Sequence, residues 1–76
     1  MAYYDDLANK LALQVIEAER ATGDDMLVQD IAKVLQATSS TMHEAFMTAV
    51  RVYAANDRAR ELLAARLKAK GFELAE

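Results

Sequence analysis

The 76-residue chain contains no cysteine and no proline, and glycine occurs only twice. Without cysteine there is no disulfide, no thiolate metal centre and no cysteine nucleophile. No apolar run approaches the roughly 18 residues of a membrane span, and the opening "MAYYDDLANK" lacks the basic and apolar regions of a secretory signal. These absences lead to the expectation of a cytoplasmic protein with no membrane role. A phosphate-cradling glycine loop, a dinucleotide fingerprint and a GxSxG elbow are also missing, so neither a cofactor nor an enzymatic activity is expected.

What is present points to helices. Hydrophobic residues make up 54% and charged residues 28% of the chain, which argues against disorder. The abundance of Ala, Leu, Glu, Lys, Arg and Gln, with no proline to interrupt them, favours an all-α domain spanning residues 1–76. A chain this short buries only about 60% of the surface its unfolded form exposes. Many of its apolar residues are alanines that add little area, and self-association is one way to supply the remainder.

The expected architecture is a small compact bundle of about four helices. The first follows Asp5 or Asp6 as cap, presents Leu7, Leu11, Val15 and Ala18 inward with Ala8 and Ala12 beside them, and ends near Thr22 and Gly23. Asp24 or Asp25 can cap a second helix whose inward face is Leu27 or Val28, Ile31, Val34 and Leu35. A third starts between Thr38 and Thr41, where Thr41 and Glu44 match a capping box, and presents Met42, Ala45, Phe46, Ala49, Val52 and Tyr53. A bend or break is expected near Asn56; failing that, the excess length should be buried against a second chain. Leu62, Leu63 and Leu67 organise the last segment, Gly71 suits a Schellman stop with Phe72 after it, and the tail "ELAE" is expected to fray.

One stretch, "IAKVLQATSSTMHEAF" from Ile31 to Phe46, resembles the helix-turn-helix superfamily of bacterial regulators. Ala32 matches the small close-packing residue, Leu35 the aliphatic residue before the turn, Gln36-Ala37-Thr38 the turn, and Met42 and Phe46 the buried positions after it. The resemblance implies a helix-turn-helix-like central pair in which Ser39, Ser40 and His43 approach DNA. Arg51, Arg58 and Arg60 would support the phosphate backbone. Glutamine stands at Gln36 where such turns favour glycine. No Arg, Lys, Asn or Gln occurs between Ser39 and Arg51 to read base edges, and Glu44 would repel phosphates.

Charge is distributed unevenly about the net of −3. Residues 1–38 carry seven acidic and three basic side chains, whereas Arg51, Arg58, Arg60, Arg66, Lys68 and Lys70 face only Asp57 and Glu61 over 51–70. His43, the single histidine, has no ligand-like spacing to partners, and the Asp5-Asp6 and Asp24-Asp25 pairs fit helix caps better than cation sites. The favoured function is therefore a protein-interaction or structural module, forming a homodimer or binding another protein, with Met42, Phe46, Tyr53 and Leu63 as hydrophobic anchors. The alternative is a helix-turn-helix DNA-binding transcriptional regulator.

Overall fold

A computed structural model describes residues 2–72; the expected fraying of residues 73–76 lies outside them. The described chain is all-α and consists of three helices: α1 (Tyr3–Thr22), α2 (Leu27–Thr38) and α3 (Ser40–Ala69). The expected break near Asn56 is absent, so α3 runs unbroken for 30 residues, about 45 Å. Asparagine and aspartate cost only about 0.6 kcal/mol relative to alanine inside a helix, too little to interrupt the alanine- and leucine-rich sequence around them. Asp57 also directs its carboxylate across to Arg20 of α1 instead of capping a new helix.

The stops of α1 and α3 follow from their glycines. Gly23, at φ 74°, ends α1 with its N–H donating to the Glu19 carbonyl at 2.8 Å. Gly71, at φ 86°, donates to the Lys68 carbonyl at 3.0 Å, and Phe72 donates to that of Leu67 at 2.8 Å. The second pair is the Schellman pattern expected at this site.

The helix starts were harder to place. Tyr3 already belongs to α1, so Asp5 and Asp6 lie in its first turn, where their charge suits the helix dipole, instead of capping it. Asp24 accepts from the Met26 N–H at 3.0 Å, and Glu19 reaches from the end of α1 to accept from the Val28 N–H at 3.0 Å. The first turn of α2 is thus tied to the last turn of α1. At α3 the cap is Ser39, extended at φ −157°, whose Oγ accepts from the Met42 N–H at 3.2 Å. Thr41 is therefore helical and the Thr41–Glu44 capping box does not form.

Tyr4, Asp5 and Asn9 share a groove with Ser40, Thr41 and Glu44, while Arg20 meets Asp57, so α1 and α3 run in the same direction. The intervening α2 returns antiparallel to both. The core between them is thin. Ala8, Ala12, Val15, Ala32, Phe46 and Ala49 are buried, and Phe46 is the one large side chain wholly hidden among the described residues. Alanines at 8, 12 and 49 let helix backbones approach closely, which moves the inward faces away from larger neighbours. Leu7 (53% exposed), Val34 (58%) and Val52 (61%), all expected inside, lie outside. The result is elongated: the radius of gyration is 15.1 Å, against roughly 11 Å for a compact domain of this length, and the extents are 49 × 31 × 14 Å. The expectation of a compact four-helix bundle is corrected to three helices with one overlong member.

Candidate interaction surface

Past Asp57, α3 continues for 12 residues to Ala69, about 18 Å, beyond the point where α1 is anchored. Leu62 and Leu63 sit on this projecting arm at 58% and 48% exposure, with Ala59 and Arg66 around them, bordering an open depression of about 390 Å³. Phe72 follows the Schellman turn and is also exposed. Helix propensity and the terminal glycine cap sustain the arm, since Ala, Arg, Leu, Glu and Lys dominate its sequence.

The four expected hydrophobic anchors separate on this framework. Phe46 is completely buried, and Met42 and Tyr53 are half-buried against the core cluster. These three hold the chain's own helices together, and Phe46 offers no surface for a partner. Leu63 remains exposed, and Leu62 and Val52 join it as residues assigned inward on periodicity alone. A second stripe on α3, Ala45, Thr48, Val52, Ala55, Ala59 and Leu62, recurs at alternating three- and four-residue steps, and all of it but Ala45 is exposed.

The helix-turn-helix resemblance divides in the same way. Its hydrophobic framework is in place, with Ala32 and Phe46 buried and Leu35 and Met42 packed against them. Its turn is not where it was expected: Gln36, Ala37 and Thr38 are helical, and Thr38 Oγ1 donates back to the Val34 carbonyl at 2.8 Å. Ser39 alone separates the helices, whereas helix-turn-helix pairs commonly use three to four residues.

The DNA-contact candidates are not drawn into one basic surface. Ser39 is half-buried and occupied as the cap, His43 is half-buried, and Ser40 is exposed near the acidic Glu44 and Asp5. Arg51 and Arg58 are exposed two turns apart on a common helix face, and Arg60 is exposed on another.

The groove between the N-terminal ends of α1 and α3 measures about 520 Å³ and carries Tyr4, Asp5, Asn9, Thr41, Glu44 and Thr48 on its walls. A smaller one of about 310 Å³ lies at the opposite end of α1, beside Glu19, Arg20, Val28 and Asp57. Both are open, and neither brings a nucleophile, base and orienting acid together. Among the described residues no three His, Asp or Glu side chains are grouped to hold a metal ion, and no helix is long and apolar enough to cross a membrane. Comparison with protein families, curated proteins and solved structures found no match to this chain.

Proposed function

We propose that this protein is a non-enzymatic interaction module of the cytoplasm that works by self-association or by binding another protein through the exposed face of α3. The observation that carries this reading is the uncovered arm beyond Asp57, where Leu62 and Leu63 stay exposed on a helix that its own chain does not cover. Among the described residues the arm contributes no buried side chain to the core, which is mostly alanine. Covering the exposed half of each leucine removes apolar surface from water and contributes about 1 kcal/mol apiece.

The test is sedimentation velocity over a wide concentration range with the wild type and a Leu62→Glu, Leu63→Glu double variant. Both side chains lie outside the core, so the variant keeps its helical signal. Association in the wild type that is lost in the variant supports the reading; association that is equal in the two argues against this face, and a monomeric wild type leaves only binding to a different protein.

A second reading, a DNA-binding regulator, draws on the α2–α3 hydrophobic framework and on the shared face of Arg51 and Arg58. Phosphate contacts make affinity fall steeply with salt. Mixed-sequence DNA at low and moderate salt therefore decides it, and no salt-sensitive binding at micromolar protein removes its support.

A further inference from the structure

We infer that the partner of α3 is the α3 of a second copy, laid antiparallel so that the basic arm of each chain enters the acid-rimmed groove at the other end of its mate. This rests on the interaction-module reading above and specifies its occupant and geometry.

Two observations, and a register that satisfies both, support it. The first is periodicity. Ala45, Thr48, Val52, Ala55, Ala59 and Leu62 follow one another at alternating steps of three and four residues, the spacing that keeps one helix seam facing another. Ala45 is half-buried against the core cluster and the other five are exposed, so from Thr48 onward the seam is separate from the core face of Phe46, Ala49 and Tyr53. Its small central residues let two helices approach closely, while Val52, Leu62 and the adjacent Leu63 supply the apolar area.

The second is charge. At the N-terminal end of the seam, Asp5 and Glu44 border the groove of about 520 Å³. At the other end, Arg66 borders the depression around Leu62, and Lys70 follows one turn later. A parallel pair would place acid beside acid and base beside base. An antiparallel pair joins opposite signs twice, once at each end, and also opposes the two helix dipoles.

One register satisfies both. If Val52 of one chain faces Ala55 of the other, the two-fold axis passes between residues 53 and 54. Leu62 then faces Ala45, and Arg66 faces Thr41 within one turn of Glu44. The apolar end of the arm thus meets the small residues of the groove, and its guanidinium meets the two carboxylates. The length of α3 acquires a purpose, because the 12 residues past Asp57 are those needed to reach that groove.

Charge reversal in the full chain tests the pairing. Glu44→Arg and Arg66→Glu each lie on exposed positions and keep the fold, as circular dichroism will verify. Each alone should weaken self-association at least about tenfold, because every dimer then holds two like-charged contacts. An equimolar mixture should recover dimers, since the heterodimer restores both opposite-charge contacts.

A second readout uses the absence of native cysteine. Ala65→Cys, exposed and off the seam, carries a nitroxide label. The proposed register sets the two labels about 35 Å apart along the axis, whereas a parallel pair brings them within about 20 Å. Recovery on mixing together with the long distance supports the proposal. Dimers with labels within about 20 Å, or no recovery on mixing, overturn it while leaving self-association standing. A wild type that remains monomeric at all concentrations overturns it too, and leaves the interaction reading only with a different protein.

Discussion

Up to Asp57, α3 packs on α1 and α2 and hides Phe46 and Ala49; beyond it, the same helix leaves Leu62 and Leu63 about half exposed. The two regions have similar helix propensity, and the difference lies in what covers them. In the body, helix is held by tertiary contact. In the arm it is held by its own hydrogen bonds and its cap, and Leu62 and Leu63 stay open to solvent. Tertiary context therefore assigns opposite roles to residues of the same type on one continuous helix.

The strongest way to break this comparison is to truncate one large side chain in each region. Phe46→Ala removes the one large side chain that is wholly buried among the described residues and should destabilise the chain by about 3–5 kcal/mol. For a domain of this size that is a large share of the total. Leu63→Ala, at 48% exposure, should change monomer stability by less than about 0.5 kcal/mol while weakening association. Urea unfolding followed by circular dichroism at low protein concentration measures the first effect, and sedimentation measures the second. Equal stability losses would show that the arm belongs to the core.

The two glycines sharpen the comparison at intermediate size. Both have positive φ, 74° at Gly23 and 86° at Gly71, and nothing lies within 4 Å of a Cβ built on either. Replacing either by alanine therefore costs only the left-handed backbone strain, about 1–2 kcal/mol. At Gly23, which turns the chain from α1 into α2, the full cost should appear in global unfolding. At Gly71, on the tip of the arm, the last turn should fray instead. Hydrogen exchange is then expected to speed up at Phe72 and its neighbours with little change in midpoint.

Both stops could be read from the sequence because a glycine after a helical pattern is a local signal with a local cause. The all-α class was legible for the same reason, as a sum of propensities. The inward faces were less so. Periodicity put Ala8, Ala12 and Ala49 on the inward faces together with Leu7, Val34 and Val52; the alanines are buried at the contacts, and the three larger residues are turned out. The four residues named as possible anchors divide accordingly, with Phe46 buried within the chain, Met42 and Tyr53 half-buried against the core and Leu63 about half exposed. Tertiary contacts left no spacing to detect: the Glu19 carboxylate reaches the Val28 N–H only once α2 folds back on α1, and Arg20 meets Asp57 across 37 positions only once α1 and α3 lie side by side.

The smallest expected effect sits at the boundary itself. The Arg20–Asp57 pair joins the end of α1 to the last covered turn of α3, with the arginine side chain 64% and the aspartate 33% exposed. Water and salt screen a pair this open, so its coupling should be about 0.2–1 kcal/mol and should shrink as ionic strength rises. Arg20→Ala loses that coupling. Asp57→Ala loses it too, but replaces a poor helix former by the best one, a gain of about 0.6 kcal/mol that leaves the net change near zero. A double-mutant cycle in low and high salt separates the two terms. A coupling above about 2 kcal/mol, or one insensitive to salt, would mean that this ion pair fixes where the body ends and the arm begins. The expected small value instead leaves that boundary to the apolar packing of α1 and α2 on the covered part of α3.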